Sequence, residues 1–351
     1  MSINLQKVFW LSLVVLIGCK EDIPPPVEQE GPLSTDWLIP LEEVIDAGVG
    51  MDGIPSVDTP MFSQPFEINS AFDDNLVLGI EHEGEVRAYP IPMLNWHEIV
   101  NDDVNGLLVA ITYCPLTGTG IGWGRRIFNF PSTFGVSGFL FNTNLMPYDR
   151  FSRSTWSQQR LECVHGNMIG SRPLTYTLTM TTFRSWKQAF PNSKIMNANT
   201  GFDRRYSEYP YGFYRSRDEL LYYPVSNLDT RLPAKEWVLA VLMHDHPKAY
   251  QFNEEKDGTE IIPDVINDTS LLIVRSKRDH YIVAFLPSEE VEFTAIQDGL
   301  PAIMSDEKGN IYDLLGRVID GPDKGMKLAK PVAMMGYWFS WGSFYPEIEI
   351  Y

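Results

Sequence analysis

The sequence predicts a strand-rich α+β fold made of two homologous lobes, on three observations: abundant aromatic residues, frequent Gly and Pro, and blocks of residues that recur at near-constant spacing. The chain holds 16 Tyr, 19 Phe and 9 Trp beside 26 Gly and 25 Pro in 351 residues. That is the bias of many short strands joined by tight turns. Once its ends are set aside, about 315 residues remain, more than one compact core usually holds, which predicts two lobes.

The recurrence carries the two-lobe reading. Val77-Leu78-Gly79-Ile80, followed by Ala88-Tyr89, matches Val238-Leu239-Ala240-Val241, followed by Ala249-Tyr250, at a shift of 161 (88 to 249). Ile99-Val100-Asn101-Asp102 reads like Val265-Ile266-Asn267-Asp268 at a shift of 166. Gly166, Gly170, Trp186 and Pro191 correspond to Gly321, Gly325, Trp341 and Pro346 at a shift of 155. Changes of offset fall between blocks, where loops tolerate insertion. The lobes so defined are residues 40–199 and 232–351, the second degenerate, joined by an ordered crossover at 200–231 rich in Tyr, Pro, Arg and Asp.

Within each lobe the elements follow from local pattern. Residues 76–80 with 86–89, and residues 107–113, have the β-branched and aromatic bias of strands. The Trp186 and Trp341 segments read as short helices stopped by Pro191 and Pro346.

The first residues resemble an export signal. Lys7 precedes an apolar run at 8–17, too short to span a bilayer, and Gly18 stands directly before Cys19. Residues 1–18 are therefore expected to be a lipoprotein signal peptide, with Cys19 the lipidated first residue of the mature chain. Residues 19–36 begin Lys20-Glu21-Asp22 and continue rich in Pro and Glu, a flexible acidic tether. The expected location is the cell envelope, anchored to the outer membrane through lipid alone. With 28 basic and 46 acidic side chains, a formal charge of −18 disfavours nucleic-acid partners and anionic headgroups.

Residues needed only for the shared fold should recur in both lobes, whereas residues serving chemistry need not. His97 and Cys114 of the first lobe find no counterpart in Ile261-Ile262-Pro263-Asp264-Val265-Ile266-Asn267-Asp268 or in Leu272-Ile273-Val274-Arg275-Ser276. Cys114 stands where an apolar strand meets a turn carrying Gly118, Gly120 and Gly122. Glycines there permit backbone N–H groups to form a concavity for a thiolate, and His97 is the candidate base. An inert buried thiol is the competing reading.

Other residues form candidate sets. Cys163 and His165, two apart, would share one face of a strand, suiting copper or zinc if joined by Cys114 or His97, although nothing in the sequence requires a cofactor. A Cys114–Cys163 disulfide is a further candidate and would stabilise by about 4 kcal/mol. Asp149, Arg150, Trp156 and Gln158 lie in a block dense in hydrogen-bonding side chains, a candidate binding pocket. Against this stands a structural pair of Asp149 with Arg150, with Trp156 in the core.

The blocks Arg87-Ala88-Tyr89-Pro90, Trp96-His97-Glu98, Thr112-Tyr113-Cys114-Pro115-Leu116, Tyr148-Asp149-Arg150 and Trp156-Ser157-Gln158 resemble the domain of unknown function 3179 family across residues 40–346. The family name carries no activity. In many relatives the position of Thr117 is cysteine, in some selenocysteine, so the resemblance implies a Cys-x-x-Cys-like redox pair. Here Thr117 blocks such a cycle through these two positions. Cys163 then resolves, or Cys114 works singly with Thr117 as hydrogen-bond donor, or the redox role is lost.

The leading expectation is an envelope thiol protein, an oxidoreductase or peroxide-type reductase, with Cys114 as nucleophile, His97 as base or orienter, and Glu98, Thr117 and Arg150 around them. The alternative is a non-catalytic surface module that binds a metal ion or small ligand, or a partner protein.

Overall fold

A computed structural model describes residues 36–243, 246–252, 258–288 and 291–351. The signal peptide, Cys19 and all but the last residue of the expected tether lie outside the described residues. Strands dominate, and only three α-helices of seven residues each occur among the described residues: α1 (Ile91–His97), α2 (Phe183–Ala189) and α3 (Trp338–Phe344). None is long and apolar enough to cross a membrane. The two helices expected around Trp186 and Trp341 are α2 and α3, ending just before Pro191 and Pro346.

The strands assemble in an order of pairings that occurs twice. The hairpin Leu76–His82 with Glu85–Pro90 gains Thr179–Thr182 on one side and, parallel to its second strand, Lys194–Met196 on the other. The hairpin Trp237–Met243 with His246–Gln251 gains Val332–Tyr337 and, again parallel, Glu349–Ile350. Next come three-stranded meanders, Ile99–Val104, Leu107–Cys114 and Thr119–Gly124 against Thr259–Ile266, Thr269–Ser276 and Tyr281–Phe285. The sheet containing Phe134–Phe141, Asn144–Asp149, Thr155–Ser157 and Glu162–His165 is matched by Phe293–Ala295, Ala302–Asp306, Ile311–Asp313 and Val318–Asp320.

Register fixes which residues correspond. Ala88 faces Gly79 as Ala249 faces Ala240, which agrees with the shift of 161. Asp102 faces Val109 as Asp264 faces Leu271, a shift of 162 (102 to 264), and this corrects the shift of 166 read from the sequence. The partners agree with the correction: Tyr89 donates to Asp102 and Tyr250 to Asp264, each at 2.6 Å, while Arg87 and Lys248 supply the cations. Asn267 and Asp268 instead form the hairpin turn, both at positive φ. Turn chemistry favours Asn and Asp there, and it imitated the Asn-Asp pair of the strand Ile99–Val104.

Alternation along the strands sends successive side chains to opposite faces. Val77 and Ala88 join α2 and the C-terminal residues Leu272, Val274, Val283 and Met304 in one buried cluster. Val238, Ala240, Ala249 and α3 join the N-terminal residues Ala110, Cys114, Ile121 and Trp156 in another. The remaining faces meet in a third cluster that holds Leu78, Tyr89 and Ile111 with Leu239, Tyr250 and Ile273. Each hairpin sheet thus covers strands from the other part of the chain, and residues 36–351 belong to one compact unit.

Candidate functional site

Cys114 is the last residue of Leu107–Cys114, and the next strand begins at Thr119, its register partner. In the turn between them Gly118 N–H donates to the Cys114 carbonyl at 2.8 Å, at a φ of +69°. A side chain at Gly118 would also strike the Trp237 ring, 2.7 Å from where its Cβ would stand. Gly120 and Gly122 make room for Leu78 and Tyr176. The glycines serve close packing, so the expected glycine-built anion concavity is corrected: the donors to sulfur come from other residues.

The groups that favour a thiolate there are the Thr117 hydroxyl, the Thr117 N–H and the Leu145 N–H, with the Thr117 hydroxyl also 2.8 Å from Thr119 Oγ1. The thiol itself donates to the Thr143 carbonyl at 3.7 Å. Burial is the largest influence and, with the Glu98 carboxylate nearby, pushes the thiol up to about 11, outweighing the three donors. The sulfur is almost fully shielded from solvent.

His97 is not the partner of this sulfur. Its Nδ1 lies 2.8 Å from the Pro55 carbonyl and its Nε2 2.6 Å from the Tyr206 hydroxyl, so both ring nitrogens are engaged away from Cys114. Burial also lowers its pKa. The cause is local: α1 ends at His97, and Glu98 turns the chain at φ +57° into Ile99–Val104, so neighbouring side chains diverge. Such a φ in a residue other than glycine is a strained conformation that surrounding structure must hold. Glu98 is buried, accepts from the Tyr211 hydroxyl at 3.1 Å, and is pushed by burial up to about 7.

Beside Thr117 lies a buried polar network. Asn144 Nδ2 reaches Thr117 Oγ1 (2.9 Å), Thr119 Oγ1 (3.0 Å) and Gln158 Oε1 (2.9 Å), while Gln158 Nε2 donates to Thr112 Oγ1 at 3.0 Å. Gln158 and Thr117 therefore meet in one network through Asn144 and Thr119. The network fixes the Thr117 rotamer, and with it the donor to Cys114.

The crossover covers this centre, a role the sequence reading missed. Tyr209 hydrogen-bonds the Pro115 carbonyl, Tyr211 binds Glu98, and Tyr214 is fully buried in one cluster with Cys114. Burial raises the pKa of Tyr209, Tyr211, Tyr214 and Tyr337, and a Cys114 thiolate would raise each further. Among the described residues the Tyr214 hydroxyl has no hydrogen-bond partner. Lys235 ties the segment down: its ammonium donates to the carbonyls of Tyr214, Arg217 and Leu220. The signal available in the sequence was the spacing of Tyr206, Tyr209, Tyr211 and Tyr214.

The remaining candidates lie in other clusters. Asp149 does not pair with Arg150: it accepts from Ser152 and from Trp156 Nε1 at 3.0 Å, and Trp156 is a core residue. Arg150, in the turn that follows the strand Asn144–Asp149, binds Asp52 at 2.9 Å and Asp58 at 3.2 Å. Cys163 and Cys114 are both free thiols, which corrects the candidate disulfide. Cys163 contacts the carbonyls of Thr155 and His165, and burial pushes it up to about 12. The His165 ring stacks on Trp37 at 4.3 Å. Among the described residues no group of three or more His, Cys, Asp or Glu is placed to hold a metal ion, so copper or zinc has no such cluster at Cys163 and His165.

No curated protein and no solved structure matched the chain. A family model described as a protein of unknown function, DUF3179, matches residues 51–348, and the chain belongs to that family.

Proposed function

We propose that the chain is a cell-envelope lipoprotein, anchored through Cys19, that carries one gated redox thiol, Cys114, beneath a tyrosine roof. The observation that carries the reading is a buried strand-end thiol covered by Tyr209, Tyr211 and Tyr214, with a buried carboxyl, Glu98, held nearby in a strained conformation. A merely structural cysteine needs neither. Of the two groups beside it, Glu98 replaces His97 as proton acceptor. Thr117 stands in the turn where the family this chain resembles often has a second thiol or a selenol, so Cys114 works singly.

In the closed state a thiol titrating near 11 is about 10⁻⁴ ionised at pH 7, and chemistry awaits movement of residues 206–222. With a peroxide as oxidant, the Cys114 proton passes to Glu98 and the thiolate attacks one peroxide oxygen. An S–O bond forms as O–O breaks, sulfur loses two electrons, and Glu98 returns the proton to the departing oxygen. The Tyr214 hydroxyl is the free donor for that oxygen.

We further propose that residues 40–199 and 232–351 are diverged copies. Supporting this are the repeated pairing order and the shared Tyr-Asp-cation device of Tyr89-Asp102-Arg87 and Tyr250-Asp264-Lys248. In that alignment Ser276 takes the place of Cys114, oxygen for sulfur, so redox chemistry belongs to the first copy.

The test is oxidation of the full chain with substoichiometric peroxide in the presence of a sulfenic-acid trap, followed by peptide mass spectrometry. Labelling at Cys114, absent in Cys114→Ser and slowed in Glu98→Gln, is expected. Oxidation confined to methionine, with Cys114 intact, would overturn the proposal and leave the non-catalytic binding module as the better reading.

A further inference from the structure

A cavity of about 360 Å³ lies under the start of the crossover, bounded by the first hairpin sheet, α1 and the strand Lys194–Met196. That volume is in the range of small-ligand sites. Ile68, Phe72, Pro92 and Met93 give it hydrocarbon walls, while Arg204 and Tyr206 line it from the crossover. Its sides come from several segments of one chain, which suits a compact small molecule better than an extended peptide.

The charges at its edge select the ligand. Arg205 is paired with Glu208 at 2.9 Å. Arg204 makes no ion pair among the described residues, and its hydrogen bond goes to the Asp203 carbonyl at 3.2 Å. A guanidinium without a carboxylate beside an apolar wall fits an amphiphile with an anionic end. One guanidinium balances a single negative charge, which matches a carboxylate.

We propose that this cavity binds a medium-chain aliphatic carboxylate, with the hydrocarbon against Phe72, Pro92 and Met93 and the carboxylate on the Arg204 guanidinium. The site is separate from Cys114 and does not depend on the redox reading. It adjoins the roof through Tyr206, whose hydroxyl bonds both His97 and Thr200.

Isothermal titration of the full chain with decanoate, decanol and decyl phosphate tests the assignment. One saturable site for decanoate, at least ~10-fold tighter than for decanol, is expected from one charge-assisted contact. Arg204→Gln should erase that preference while leaving decanol unchanged, and Ala198→Trp, which fills the mouth of the cavity, should abolish binding of both. Both substituted residues are at the cavity edge, and retained near-ultraviolet circular dichroism verifies folding. Decanoate binding that equals decanol, falls below decyl phosphate, or survives Arg204→Gln would overturn the proposal.

Discussion

Glu98 links structure to chemistry at the scale of a single residue. Burial holds its carboxyl near 7, whereas an exposed glutamate titrates near 4.3. The folded chain binds this proton more tightly than the unfolded chain. Its stabilising contribution is therefore complete below about 4.3 and is lost as pH rises through about 7, a difference of ~3 kcal/mol. Glu98→Gln keeps a neutral group and a partner for Tyr211. Urea unfolding should show the variant gaining up to ~3 kcal/mol over the parent at pH 8 and little at pH 4. Parallel stability curves across that range would show that Glu98 does not titrate in a buried site. The sequence displayed His97 and Glu98 side by side and favoured the imidazole. The sign of φ at Glu98, which sends its carboxyl to Tyr211 and separates it from the His97 imidazole, has no local signature in a residue other than glycine.

At the scale of elements, the strand ends and helices were legible because they obey local rules. The strand leading to Cys114 and the helices stopped by Pro191 and Pro346 follow from β-branched runs and from proline. What residues 200–231 do was not legible, since their tyrosines reach partners about 100 positions away, as Tyr211 does at Glu98. The turn after Cys114 carries its own prediction. The hydrogen bond from Gly118 N–H to the Cys114 carbonyl makes one helical turn, in which residues three apart are neighbours. Thr117 is among the groups that lower the pKa of the sulfur. In Thr117→Cys the introduced thiol should therefore form a disulfide with Cys114 on mild oxidation, read as a mass loss of about 2 Da and the disappearance of both thiols from a titration. Persistence of two free thiols would mean the turn cannot bring them together.

For the whole molecule, the decisive feature is that hairpin sheets cover strands of the opposite part of the chain. Cys114 shares its buried cluster with Val238, Trp338 and Trp341, and Gly336 leaves no room for a side chain because Thr119 and Trp341 press against it. Recurrence in the sequence revealed two similar parts but not their exchange of cores, which depends on contacts between distant strands. Residues 36–231 expressed alone should consequently lack cooperative unfolding and bind hydrophobic dyes, and adding residues 232–351 as a separate chain should restore a native near-ultraviolet spectrum. A cooperative transition in the N-terminal piece by itself would show that it owns a sufficient core.

The most direct measurement of the gated thiol is the rate of iodoacetamide alkylation at Cys114 against pH, by peptide mass spectrometry, with Cys163 as internal control. In the native chain both sulfurs should react slowly, Cys114 with an apparent pKa near 11. Replacing Tyr209 and Tyr211 by Ala should accelerate Cys114 by at least ~10-fold and lower its apparent pKa toward that of a free thiol, while Cys163 stays slow. Native Cys114 reacting like an exposed thiol near 8.5, or remaining as inert as Cys163 once the tyrosines are gone, would contradict a sulfur held in reserve beneath a movable roof.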